Sequence, residues 1–234
     1  VNPNAFARDT LRFGALWTIG MATLSLSAVR RQQHVLPPSG PAAAVHLTLV
    51  ARLPQQATSG IDEMLTELKR RDSSHHYYPT NTLHVTIRNF DNMKDVDRPQ
   101  LLAQLRHCIG SLRPFSLRAR GLGVSPNSVF LQLFPEDGSL SDLRRKLSLL
   151  TRDSHTRQRA TESRLLRDLL FRRLAFANLI RFSGPVSFPF IREIARHRTT
   201  NFDSFCVEAL ELVQTDRLFS AAGTTTIDRM PLGR

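Results

Sequence analysis

Apolar and polar positions change period several times along the chain, and each change predicts an element. Val45-His46-Leu47-Thr48-Leu49-Val50-Ala51-Arg52-Leu53-Pro54 reads as a strand, closed by a proline that cannot donate to a sheet ladder. Ile61, Met64, Leu65 and Leu68 then recur at helical spacing through Arg70. Lys69-Arg70-Arg71 follow at the end where the helix dipole favours cations. Leu83-His84-Val85-Thr86-Ile87-Arg88 returns to a period of two, with His84 and Thr86 on one face and Leu83, Val85 and Ile87 on the other. The same reading predicts a helix over Leu101–Ile109 and strands over Phe115–Leu122 and Val129–Phe134. It then predicts a helix over Ser141–Leu150, with Asp142 and Lys146 paired on its outer side. Leu165, Leu166, Leu169 and Leu170 make an apolar stripe in the arginine-rich 152–173 stretch, an amphipathic helix with a basic outer face. A strand over Ala175–Phe182, a short helix over Phe190–Arg196, a strand over Cys206–Val213 and a last strand at Thr224–Ile227 complete the series.

Ahead of these lies Phe13–Val29, an apolar run between Arg12 and Arg30-Arg31. It is short for a membrane span and Thr18, Thr23, Ser25 and Ser27 interrupt it, so a buried helix is expected, with Trp17 and Met21 on one face. Export or membrane association through residues 13–29 is the alternative. Pro37-Pro38-Ser39-Gly40-Pro41 marks a linker, which separates an N-terminal helix and linker at 1–41 from a domain at 42–234. Within that domain the order of elements is repeated. The expected fold class is therefore α+β: two pseudo-symmetric lobes of antiparallel sheet, helices outside, flanking a central groove. The lobes draw on about 42–110 and 111–230.

Composition narrows the partners. At 234 residues, 41% hydrophobic and 22% charged, the chain has the make-up of a globular protein. Lys and Arg outnumber Asp and Glu by 32 to 20, a net +12 that favours a polyanionic partner, RNA or a phosphorylated nucleotide, over a merely basic surface. Cys108 and Cys206 lie far apart without ligand spacing and suit buried packing in a reducing, cytoplasmic compartment. No histidine or cysteine pattern indicates a metal, and no glycine-rich loop indicates a nucleotide cofactor, so a monomer without metal or cofactor and not held in a membrane is expected.

The candidate chemistry sits on the strands. His84 can exchange a proton near neutral pH and Thr86 beside it can donate to a phosphate oxygen, which is half of a site for phosphoryl chemistry. His46 and Thr48 repeat the spacing on the first strand. His75 and His76, before Tyr77 and Tyr78, read as solvent-exposed loop residues next to the His84 strand.

The repeated order and Leu83-His84-Val85-Thr86-Ile87 together resemble the two-histidine phosphoesterase superfamily, which includes 2′-5′ RNA ligase-like proteins and RNA 2′,3′-cyclic phosphodiesterases. Val207–Val213, Asp216-Arg217 and Thr224–Ile227 are similar to the end of that domain. The resemblance covers about residues 44 to 230. It implies a groove in which each half supplies a His-x-Thr/Ser strand, one histidine acting as base and the other as acid without metal. It also implies His84 and Thr86 as catalytic and Asn178 and Arg181 as phosphate-binding, and Thr48 and Tyr78 are further phosphate-binding candidates. The second motif departs from the pattern. It reads Phe176-Ala177-Asn178-Leu179-Ile180-Arg181, with Phe176 where the second histidine belongs. His46 is then the candidate to replace it, provided that its strand lies beside the His84 strand with both imidazoles on one face. Three functions stay open: a phosphoesterase acting on 2′,3′-cyclic phosphates or 2′-5′ linkages, an impaired relative that binds RNA or nucleotides without turnover, and a component anchored through residues 13–29.

Overall fold

The computed structural model describes residues 3–37, 39–40, 45–90, 97–150 and 174–233. The arginine-rich stripe expected at 152–173 lies outside the described residues. Within them the chain runs α1 (Pro3–Arg30), β1 (His46–Arg52), α2 (Ser59–Arg71), β2 (His76–Tyr77), β3 (His84–Asn89), α3 (Arg98–Gly110), β4 (Phe115–Ser125), β5 (Ser128–Pro135), α4 (Ser139–Leu150), β6 (Ala175–Arg181), α5 (Phe188–Arg196), β7 (Asn201–Val207), β8 (Ala209–Thr215) and β9 (Thr225–Pro231). Two antiparallel sheets result, ordered β3-β1-β8-β9 and β2-β6-β5-β4-β7. The fold class is α+β, as the alternation of patterns predicts.

The single strand expected over Cys206–Val213 is two strands in different sheets. Phe205 pairs with Leu117 on β4, whereas Leu212 pairs with Leu49 on β1, and the chain passes from one sheet to the other at Glu208. Unbroken alternation places side chains on faces but carries no information about which strand is the neighbour, so such a crossing leaves no mark in the sequence. The helix over Ser141–Leu150 forms, but Asp142 pairs with Arg145 at 3.1 Å rather than with Lys146. Cys108 is buried as expected and Cys206 is exposed, both as free thiols.

The apolar run at 13–29 lies within α1, which is longer at both ends than the run itself. Its buried stripe of Phe13, Leu16, Trp17, Gly20 and Leu24 recurs at three- and four-residue steps and packs on β4 and β5. Gly20 permits this approach: a Cβ there would lie 2.4 Å from the Val124 carbonyl oxygen. Each large apolar side chain buried in this way contributes roughly 1.5–3 kcal/mol. Trp17 is 7% exposed and the Arg198 guanidinium lies 5.1 Å from its ring centre. The stripe that an anchor would offer to lipid is thus covered by the second sheet, and among the described residues no helix is long and apolar enough to cross a membrane.

The two sheets meet where β3 faces β6. Arg144 on α4 ties them together. Its guanidinium donates to the Leu174 carbonyl just before β6 at 3.2 Å and to the Thr86 carbonyl on β3 at 3.3 Å. Burial pulls its pKa down to about 10, still far enough above neutrality to leave it charged.

Candidate functional site

A cleft of about 660 Å³ opens between the sheets. His84, Thr86, His46, Thr48, Tyr78, Asn178 and Arg181, all expected from the sequence, line it. Irregular registers on the two facing strands produce this convergence. On β3, Thr86 pairs with Val50 and Arg88 with Leu49, so one residue is extra and Asn89 follows His84 and Thr86 onto the cleft side. On β6, Asn178 pairs with Phe130 and Ile180 with Val129. The same kind of bulge brings Arg181 round behind Asn178. His84, Thr86 and Asn89 from β3 therefore line one side of the cleft and Asn178 and Arg181 from β6 the other.

His84 is held by two contacts. Its Nδ1 donates to the Thr82 carbonyl at 2.9 Å, which leaves Nε2 as the nitrogen with a free lone pair. Phe219 stacks on the imidazole with ring centres 3.7 Å apart, and Arg52 lies 4.9 Å from the Phe219 centre. Burial, and secondarily the positive charge of Arg52, push the imidazole pKa down to about 4, outweighing the hydrogen bond to Thr82. His84 is neutral at pH 7. Phe219 adopts a φ of 54°, a conformation that bulky side chains avoid, and the loop before it imposes this. Asp216 accepts from the amides of Leu218 at 2.9 Å and Ser220 at 3.0 Å, and from the Gly40 amide at 2.7 Å. Burial alone would raise its pKa, but these bonds and the Ser220 hydroxyl hold it below the usual carboxylate range. The same carboxylate thereby fixes the Phe219 loop and the linker whose Val35, Leu36 and Pro37 form one wall of the cleft. No sequence signal marked Phe219 or this wall, because both depend on a contact between residues 40 and 216.

Opposite His84, the Asn178 carboxamide makes no hydrogen bond among the described residues, and Arg181 has no carboxylate partner there; its Nε donates only to the Tyr78 hydroxyl at 3.5 Å. These are donors available to an anion. Burial raises the Tyr78 phenol pKa, so it too remains protonated.

His46 shares the cleft but not the neighbourhood of His84. Its strand is adjacent, as the replacement required, yet Arg52, not His46, is the residue opposite His84. Six residues of strand separate them, about 20 Å at ~3.3 Å per residue, too far for both imidazoles to serve one phosphate. His46 instead accepts from Arg217 Nε at 3.4 Å, and Thr48 donates to Asn89 Oδ1 at 3.1 Å.

Phe176, two residues before Asn178 on β6, is half-buried and packs against the apolar cluster that α1 shares with β5. Its ring centre is 5.1 Å from that of Phe130, in a cluster with Phe13, Leu16, Phe134 and Leu174. His75 and His76 correct the expectation of an exposed loop. His75 is 5% exposed and packs between Phe182 and Phe190, while His76 opens β2 and lies edge-on to Tyr78. Glu67, Glu193 and His197 converge where α2 meets α5, a carboxylate and imidazole group that the sequence did not reveal. Both Glu193 oxygens already accept from arginines, Arg71 at 3.1 Å and Arg196 at 3.1 and 3.3 Å, so the group is a structural ion-pair network.

No protein-family model matches the sequence, and no curated protein matches it significantly. Solved structures do match in fold. The TT0787 protein of Thermus thermophilus superposes with a TM-score of 0.61 at 18% identity, covering 81% of this chain and 99% of its own. A structure described as a phosphoesterase gives 0.51 at 17% identity, with 82% and 100% covered. LigT of E. coli in complex with ATP gives 0.51 at 16%, with 81% and 98% covered.

Proposed function

We propose that this chain, built on the two-histidine phosphoesterase fold that it shares with LigT and the phosphoesterase structure, uses the cleft to bind RNA or a nucleotide through a phosphate and turns it over poorly or not at all. The reading is carried by Phe176, which stands where the resemblance places the second histidine and packs on Phe130 instead of lining the cleft with His84. Phosphate oxygens would be held by Thr86, Asn178 and Arg181, with Tyr78 steadying the guanidinium. The complex of LigT with ATP and the net charge of +12 both favour a nucleotide or RNA over an uncharged ligand. A 2′,3′-cyclic phosphate or a 2′-5′ linkage is the expected target.

One observation favours a second reading, that of an active phosphoesterase: His84 is neutral with Nε2 unprotonated, as a general base must be. Without an acid on the far side, the loss is on the order of 100-fold in rate or more. Incubation with a 2′,3′-cyclic nucleotide separates the two. Binding that Arg181→Ala weakens at least tenfold, with no product formed, supports the proposal. Turnover that His84→Ala abolishes establishes the enzyme instead, and absence of binding by the unaltered protein overturns both.

A further inference from the structure

Beside the main cleft, and opening from it at Asn127, Asn178 and Arg181, lies a second cavity of about 400 Å³. That volume falls within the ~300–1,000 Å³ typical of small-ligand pockets. The N-terminal segment builds one side of it, with Ser27 from the last turn of α1 and Gln32 and His34 from the linker; Ser125 and Ser128 of the β4–β5 hairpin form the other. The lining mixes these polar groups with the apolar surface of Pro126 and Phe176 and carries no acidic group, and Arg181 at the mouth supplies the positive charge.

Several of these groups are set in advance. Ser27 donates to Gln32 Oε1 at 3.1 Å, which directs the Gln32 amide with its NH2 as the remaining end. Ser125 donates to Asn127 Oδ1 at 3.0 Å and pairs with the Ser128 hydroxyl at 2.7 Å, so that Asn127 also keeps its NH2 for a ligand at the junction. The His34 ring rests 5.6 Å from the Phe182 ring centre, and its Nε2 is buried without a hydrogen-bond partner among the described residues. Burial lowers its pKa, so the ring is an uncharged polar surface at pH 7.

We infer that this cavity is a second nucleoside subsite, so that the preferred ligand is a phosphodiester with a nucleoside on each side, read on one side by His34 and Gln32, rather than a terminal mononucleotide. The inference rests on the phosphate seat proposed above. A phosphate on Asn178 and Arg181 would sit at the point that both cavities share. One nucleoside would then fall in the main cleft and the other against the N-terminal segment. Neutral amides and an uncharged imidazole suit the ribose hydroxyls and base edges of a nucleoside, not a further phosphate.

The test compares a 2′-5′-linked dinucleoside monophosphate with a 2′,3′-cyclic mononucleotide by calorimetric titration. The dinucleotide is expected to bind at least tenfold more tightly. His34→Ala and Gln32→Ala, each checked for an unchanged melting temperature, should erase that advantage and leave mononucleotide affinity within twofold. In the unaltered protein, the His34 imidazole resonances should shift with the dinucleotide and stay in place with the mononucleotide. Equal affinity for the two ligands, or His34 resonances indifferent to the dinucleotide, overturns the subsite. If Arg181→Ala leaves mononucleotide binding untouched, the phosphate seat itself fails, an outcome separable from failure of the subsite alone.

Discussion

His84 lines the cleft whereas Phe176 packs on Phe130 beside it, and that difference bears on what the cleft can do. Restoring an imidazole by Phe176→His should not restore proton transfer, because the new ring would face Phe130 and the cluster under α1. The exchange gives up apolar contact with Phe130 at a half-buried position, so a lower melting temperature without gain in turnover is expected. Phe219→Ala tests the opposite partner. Removing the stacked ring admits water to His84, and its NMR titration midpoint should climb from about 4 towards 6.5. The depressed pKa also has a stability consequence of definite sign. Between pH 6.5 and about 4 the unfolded chain binds a proton that folded His84 refuses, so stability is full above 6.5 and falls as pH drops through 4. Melting temperatures measured across that window should decline with acidification, and His84→Gln should flatten the decline. A midpoint for His84 near 6.5 in the unaltered protein would contradict the packed geometry.

At the scale of elements, α4 ties the two walls of the cleft together and α1 packs on the second sheet. Arg144→Met leaves the Leu174 and Thr86 carbonyls without their shared donor, a loss of roughly 1–3 kcal/mol. Since one of those carbonyls belongs to β3 and the other precedes β6, nucleotide affinity should weaken along with stability in denaturant titrations. Gly20→Ala acts on α1 alone. The added methyl would collide with the Val124 carbonyl, and overpacking of this kind typically costs about 1–3 kcal/mol. Trp17, the single tryptophan, sits one turn away on the same helix, so its emission should move to longer wavelength as α1 lifts from the sheet. An unchanged spectrum with unchanged stability would mean that the helix tolerates the displacement.

Across the whole molecule, if the cleft takes RNA as proposed, the surplus of cations predicts that affinity falls steeply as salt rises, with each phosphate contact adding close to one unit to the slope of log affinity against log salt. Arg181→Ala should lower that slope by about one if the guanidinium meets a phosphate in RNA. The α+β class, the period of nearly every strand and helix, and the face shared by His84 and Thr86 were legible in the chain, because alternation and helical spacing are local properties that a core enforces residue by residue. Asn178 and Arg181 were found only through a motif resemblance; three residues apart, they share a face because a bulge intervenes, and a bulge has no obligatory residue type. The sheet to which Cys206 or Leu212 belongs, the distance between His46 and His84, and the burial of His75 were decided by tertiary structure alone. Sequence by itself determined which side chains turn inwards together along each element. Which elements then meet depends on strand pairing and helix docking between residues far apart in the chain. That is why the contact of Phe176 with the Phe130 cluster, which α1 also joins, could not be read from the stretch that contains it.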